Sequence, residues 1–239
     1  RNKFVAITGT NGKTTCSILT GKIFEKAKYK THVVGNIGTG ILNEIMDSSV
    51  DDIFVIEASS FQLEHTKSFK PNIGLITNIT PDHLDWHGTF ESYRNAKFKL
   101  FANQDTNDYL ILNYDDKILR DIEDKVKAKT IYFSTKEILS NGIYLENDLI
   151  IIDNGMEKIK LMPHSNLKIL GRHNLENALG CIGIAVAMGI EPSIIKEVLE
   201  KFQGVEHRIE YVATKNKIHF YNDSKGTNPD ASIKAIEAV

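Results

Sequence analysis

The residues Thr8-Gly9-Thr10-Asn11-Gly12-Lys13-Thr14-Thr15 follow the apolar run Phe4-Val5-Ala6-Ile7 without a break. Small residues between a strand and a helix let backbone N–H groups turn toward an anion. Lys13 can then reach terminal phosphates, and the Thr14 hydroxyl falls where a phosphate-bound Mg²⁺ would sit. The residue five before Gly12 is Ile7, so the general P-loop pattern is met only in its second half. A Gly-rich turn without a nucleotide is the competing reading. An Asn, a Lys and paired Thr residues are more than such a turn needs.

Other function-capable groups stand at the ends of apolar runs. Glu57 closes the run Ile53-Phe54-Val55-Ile56. It is placed to reach Mg²⁺ directly or through water, or else to cap the next turn. The run Asp82-His83-Leu84-Asp85-Trp86-His87 offers metal ligands or phosphate contacts, and its Trp86 reads equally as a lid or as packing. Lys97 shares a helix face with Tyr93, four residues earlier, and by position alone is a solvated helix lysine. Asn174 and Asn177 share a helix face after Gly171-Arg172-His173. Their amides suit an adenine edge, although Asn174 could simply cap. His207-Arg208 and the polar stretch Asn222-Asp223-Ser224-Lys225-Gly226-Thr227-Asn228-Pro229 lie further on.

The elements that must position these groups alternate. Strands are expected at Lys3–Ile7, His32–Val34, Ile53–Ile56, Ile73–Ile76, Tyr109–Leu112 and Thr130–Phe133, and helices at Lys13–Lys28, Phe90–Phe101 and around Ile118–Ile122. Continuous apolar strands alternating with helices predict an α/β fold, a mostly parallel sheet with helices on both faces. In open sheets of that kind ligands bind beyond the C-terminal strand ends, where these polar groups gather. From Gly142 to Leu161 short strands and turns predict added antiparallel hairpins. Helices follow at Asn174–Met188 and Ser193–Phe202. Phe202-Gln203-Gly204-Val205-Glu206 reads as a linker, dividing the chain into 1–204 and 205–239. One βα unit cannot bury its own core. The second unit is therefore expected to continue past Val239, and the non-Met start at Arg1 suggests preceding material.

Composition narrows the classes. The 239 residues are 41% hydrophobic and 25% charged, with net charge −2. That balance gives no bulk attraction for nucleic acid or an anionic membrane. No run is long enough to span a bilayer, and no signal peptide is visible. Cys16 and Cys181, far apart in sequence, fit a reducing, cytoplasmic setting better than a disulfide scaffold.

Taken together, these segments resemble the Mur ligase family, ATP-dependent amino-acid ligases of peptidoglycan precursor synthesis. Gly9 to Thr15 resembles its ATP loop. Glu57, His83 and Tyr93-Arg94-Asn95-Ala96-Lys97 resemble its metal and carbamate positions, Gly171 to Asn177 its adenine segment, and His207-Arg208-Ile209-Glu210 its domain junction. The elements Glu57-Ala58-Ser59-Ser60-Phe61-Gln62-Leu63 and Asn222-Asp223-Ser224-Lys225-Gly226-Thr227-Asn228 are most similar to the D-glutamate-adding branch.

The resemblance implies a central P-loop-type ATP domain followed by the start of a Rossmann-like C-terminal domain. It implies UDP-N-acetylmuramoyl-L-alanine and D-glutamate as substrates, ATP with two Mg²⁺ ions, an acyl-phosphate intermediate, and a monomer. Gly9, Thr10, Asn11, Gly12, Lys13, Thr14 and Thr15 would hold the phosphates. Thr14 and Glu57 would hold one Mg²⁺, and His83 with a carbamylated Lys97 the other. Asn36, Ser59 and His83 would meet the nucleotide-sugar substrate, Asn174 and Asn177 the adenine. Arg208, Asp223 and Lys225 would reach across from the second unit. Lys13, His83 and Lys97 would carry the chemistry. A chain without the UDP-gripping and D-glutamate-selecting regions would bind ATP without completing the reaction. A related ligase with another acceptor, or a non-catalytic nucleotide module, are the other classes.

Overall fold

Strands β1 (Lys3–Thr8), β2 (Thr31–Gly35), β3 (Ile53–Glu57), β4 (Ile73–Ile76), β5 (Tyr109–Asn113), β6 (Lys129–Ser134), β7 (Gly142–Glu146), β8 (Leu149–Asp153) and β9 (Lys158–Pro163) form one nine-stranded sheet. Its order is β2-β3-β1-β4-β5-β6-β7-β8-β9. All pairings from β2 to β7 are parallel, and β8 and β9 add antiparallel. The computed structural model describes residues 3–239; Arg1 and Asn2, counted in the first expected unit, lie outside the described residues.

Helices α1 (Lys13–Lys26), α7 (Arg172–Ala187) and α8 (Pro192–Lys201) cover one face, and α5 (Phe90–Phe98) and α6 (Lys117–Arg120) belong to the other. The larger core joins Val5, Ile7, Leu19, Ile23, Val55, Leu75 and Ile111 to Leu179, Ile182 and Leu199. A second core on the opposite face gathers Ala6, Leu63, Ile76, Leu100, Leu110 and Leu112. Burial on both faces is why the central strands β1, β3, β4 and β5 carry continuous apolar runs.

Three short helices were not foreseen in the sequence: α2 (Ile41–Met46), α3 (Ser60–Glu64) and α4 (Leu84–His87). Helix α1 ends before the expected Lys28, which takes a left-handed φ of 70°. Beyond Gly204 come β10 (Glu210–Lys215), β11 (Ile218–Asn222) and α9 (Pro229–Glu237). The β10–β11 pair is a separate two-stranded antiparallel sheet. Among the described residues no helix is long and apolar enough to cross a membrane.

Candidate functional site

The phosphate loop sits between β1 and α1, above the C-terminal ends of β3 and β4. Two glycines are required by geometry. Gly9 has φ 151°, and a Cβ there would fall 1.9 Å from Thr77 Oγ1. Gly12, the N-cap of α1, has φ 87°, and a Cβ there would fall 2.1 Å from Asn177 Oδ1. Neither conformation nor spacing admits another residue without strain.

The loop is tied down on several sides. Thr8 Oγ1 donates to the Ala58 carbonyl at 2.8 Å. Thr10 Oγ1 contacts the Tyr93 hydroxyl at 2.9 Å and the Thr80 carbonyl at 3.0 Å. Asn11 N donates to Asn78 Oδ1 at 2.9 Å, and Thr77 Oγ1 donates to the Asn11 carbonyl at 2.6 Å. Thr77 and Asn78, at the end of β4, are thus site-shaping residues that the sequence reading passed over. Polar residues at the C-terminal end of an apolar strand were the available signal.

A cavity of about 340 Å³ opens in front of the loop, lined among others by Lys13, Thr14, Asn36, Glu57, His83, Arg208 and Lys225. Lys13 Nζ folds back onto the carbonyls of Gly9 (3.0 Å) and Thr10 (2.9 Å). Burial lowers its pKa and Arg208 adds to that, against the opposing fields of Glu57 and Asp82. Glu57 is 2% exposed. Its Oε1 accepts from Asn36 Nδ2 at 3.1 Å, and its Oε2 is buried without a hydrogen-bond partner among the described residues. Arg208 Nε, on the same cavity, is likewise buried and unpartnered. An orphaned carboxylate oxygen and an orphaned guanidinium N–H in one cavity are costly unless a ligand meets them. A cation for the first and an anion for the second would do so.

The remaining expected site residues are distributed differently. His83 lines the cavity at φ 51°, its ring 4.9 Å from that of Phe61. Lys97 does not line it. It is 1% exposed, its Nζ donates to the Gly9 carbonyl at 2.8 Å, and it lies 4.7 Å from the Tyr93 ring centroid. The solvated helix lysine that position alone suggested is therefore corrected. Burial drives its pKa well below the ordinary range, repulsion from Lys13 adds to this, and Asp82 opposes it. Among the described residues no cluster of three or more His, Cys, Asp or Glu could hold a metal.

Ser59 lines neither this cavity nor its neighbour. It caps α3 in a capping box with Gln62, accepting from Gln62 N at 3.2 Å. The neighbouring cavity is lined by Asn11, Gly12, Thr15, Asn174, Asn177, Arg208 and Asp223. Asn177 Nδ2 donates to Asn174 Oδ1 at 3.2 Å, so these two share a face as spaced. Asn174 Nδ2 bonds the Leu170 carbonyl at 2.7 Å, which is a helix-start role. Asn177 is 5% exposed and braces α7 against Gly12. Asp223 Oδ1 accepts from Ile209 N at 3.1 Å.

The Mur ligase middle domain model matches residues 7–185. The chain belongs to the Mur ligase family. Among curated Mur ligases it is similar to the UDP-N-acetylmuramoylalanine–D-glutamate ligase of Alkaliphilus metalliredigens, with 49% identity over 100% of this chain and 52% of that protein. It is also similar to that of Clostridioides difficile, with 48% identity over 98% of this chain and 52% of that protein. The chain spans about half the length of the curated relatives it matches. It shares its fold with a MurF ligase from Thermotoga maritima solved with ADP, at TM-score 0.75 and 19% identity, covering 99% of this chain and 56% of that one. A solved UDP-N-acetylmuramoyl-L-alanyl-D-glutamate–2,6-diaminopimelate ligase gives TM-score 0.75 at 23% identity, covering 99% and 53%.

Proposed function

We propose that this chain is the ATP-binding half of a ligase that joins D-glutamate to UDP-N-acetylmuramoyl-L-alanine in peptidoglycan precursor synthesis. The observation that carries the reading is the pair of orphaned, oppositely charged groups, Glu57 Oε2 and Arg208 Nε, on two residues that line one cavity beside the phosphate loop. The curated relatives at 48–49% identity carry that activity in their names.

The chemical problem is to bring a carboxylate against a γ-phosphate. Lys13 exchanges its two carbonyl partners for phosphate oxygens and neutralises them. Arg208 and Lys225 approach from the second unit and complete the positive wall. The residues fit one Mg²⁺: Glu57 Oε2 is an unsatisfied hard oxygen, and the Thr14 hydroxyl shares its cavity. Bound there, the ion would screen charge between the phosphates. A second Mg²⁺ would fall to His83 and Lys97 only once the Lys97 side chain leaves the Gly9 carbonyl, because it does not line the cavity that His83 lines. An unmodified ammonium cannot ligate a metal. Burial and Lys13 hold the Lys97 amine toward its neutral form, which is the form that reacts with CO₂ to give a carbamate. Asn174 and Asn177 hold the adenine edge, Asp223 flanks it, Asn36 and His83 face the nucleotide-sugar side, and Ser59, the N-cap of α3, meets that substrate beyond the cavity. The chain divides into units 1–204 and 205–239, the protein acts as a monomer, and closure of the units completes the site.

Phosphate release by the intact protein, with ATP, Mg²⁺ and UDP-N-acetylmuramoyl-L-alanine, tests this. Release stimulated by D-glutamate and not by meso-diaminopimelate or L-lysine is expected. Stimulation by another acceptor would reassign the substrate, and no release would remove the ligase reading.

A further inference from the structure

We propose that Asn228 is a positioning residue that latches the second unit onto the phosphate loop and onto the loop carrying His83. The proposal deepens the nucleotide-site reading and rests on it. Asn228 is the N-cap of α9, and its Oδ1 accepts from Ala231 N at 2.8 Å. The same amide's Nδ2 donates across the gap to Asn11 Oδ1 at 3.2 Å and to Asp82 Oδ2 at 3.3 Å. One carbonyl oxygen and two N–H groups are all that an amide offers. Here each has a partner, and the partners come from separate segments.

Both acceptors are themselves anchored. The Asn11 backbone is tied to Thr77 and Asn78 at the end of β4. Asp82 gives its other oxygen to His83 N at 2.9 Å. A single side chain therefore fixes the start of α9 relative to the loop that bears Lys13 and to the loop that bears His83. Arg208, Lys225 and Asn228 reach the cavity from the second unit, while Lys13, Thr14 and Glu57 reach it from the first. The bonds are directional and one of them ends on a carboxylate, so they set register rather than bury area.

Capping and latching separate cleanly by substitution. Asp and Ser cap helices about as well as Asn, but neither brings an amide donor. Asn228→Asp keeps the capping oxygen and turns a carboxylate toward Asp82. Asn228→Ser keeps the cap and falls short of both acceptors. In Asn228→Asp/Asp82→Asn the donor and acceptor exchange places, so the bond between these two residues reforms while the one to Asn11 stays lost.

The test is limited proteolysis of the 239-residue chain at the segment 201–206, without nucleotide, beside a thermal melt of each variant. Asn228→Asp and Asn228→Ser are expected to melt near the parent chain. Their cleavage in this segment is expected to be about three- to tenfold faster, as for a lost hydrogen bond. Asn228→Asp/Asp82→Asn is expected to recover part of the protection, which loss of a cap alone would not allow. Parent-like cleavage of Asn228→Asp, or no recovery in the double variant, would overturn the latch. Because nucleotide is absent from this assay, it decides the latch separately. Failure of the parent chain to bind a nonhydrolysable ATP analogue in calorimetry would instead overturn the nucleotide reading.

Discussion

The phosphate loop and the β10–β11–α9 unit both deliver cations to one cavity, yet they are held there by different means. Lys13 stands on a loop rooted in Val5, Ala6 and Ile7, each 0% exposed, and cross-tied through Thr8, Thr10 and Asn11 to three other segments. Arg208 and Lys225 ride on a unit whose Tyr211, Val212, Ile218 and Phe220 are 56%, 61%, 61% and 49% exposed. Burial fixes the first half of the site, and a few polar bonds place the second. A site built so can keep its anion cradle rigid while the opposing wall moves.

The largest expected effect sharpens the rigid half. Lys13→Ala is expected to weaken binding of a nonhydrolysable ATP analogue by about 10²-fold or more, the scale of one lost electrostatic contact to transferring phosphates. Calorimetry with this chain checks it, and unchanged affinity would mean that the loop is misassigned. Lys97→Ala in the intact protein is next. If Lys97 acts as a carbamate, turnover is expected to fall about 10² to 10³-fold. Short carboxylic acids are expected to restore part of it, and to do nothing for Lys13→Ala, whose lost group is a cation. Near-parent turnover would remove Lys97 from the chemistry.

Stability should divide the two regions in the same way. Gly12→Ala forces a Cβ to within 2.1 Å of Asn177 Oδ1 at φ 87°. It is expected to cost about 2 to 4 kcal/mol in urea denaturation. Phe220→Ser, at 49% exposure in the second unit, is expected to stay within about 0.5 kcal/mol. Equal losses at the two positions would erase the contrast.

How far this contrast could be read from the sequence depends on the signal each region carries. The central parallel strands β1, β3, β4 and β5 were legible because both their faces are buried, so each is an apolar run ending in polar residues, whereas β7, expected within the antiparallel hairpins, pairs parallel with β6. The phosphate loop was legible because its glycines and Lys13 lie next to one another in the chain. Helix α3 was missed although Ser59 and Gln62 spell a capping box, because five residues are too few for apolar periodicity to show. Helix α2 is six residues long and only its Ile41 and Ile45 pack, partly, on the small cluster of Val34, Phe54 and Ile56, too short a run for periodicity to mark it. Burial of Lys97 against Gly9 depends on a contact 88 residues away in the chain, and no local pattern reports that. Asn228 stood within a recognised polar stretch, but its partners Asn11 and Asp82 are set by the tertiary fold.

The smallest expected effect probes the sheet edge remote from both regions. His32 bridges Glu44 (2.7 Å) and Asp52 (2.9 Å). Burial alone would lower its pKa, but the hydrogen bonds to Asp52 and Glu44 outweigh this and raise it above 6.5. His32, with Lys30 helping, holds Asp52 down at about 2. The raised imidazole contributes stability that is fully present below 6.5 and lost as pH rises through its folded value. The lowered carboxyl contributes stability present above 3.8 and lost as pH falls toward about 2. The urea midpoint difference between the parent chain and His32→Gln is therefore expected to be largest between those limits and to shrink on either side. A pH-independent difference would show that the bridge carries no charge.

The central claim is that Glu57 and the phosphate loop together form a metal–nucleotide site, and calorimetry of nonhydrolysable ATP analogue binding with and without Mg²⁺ tests it most directly. In the parent chain Mg²⁺ is expected to tighten binding by about tenfold or more, and in Glu57→Gln that gain is expected to vanish while metal-free binding persists. No binding by the parent chain, or an equal Mg²⁺ gain in Glu57→Gln, would contradict it.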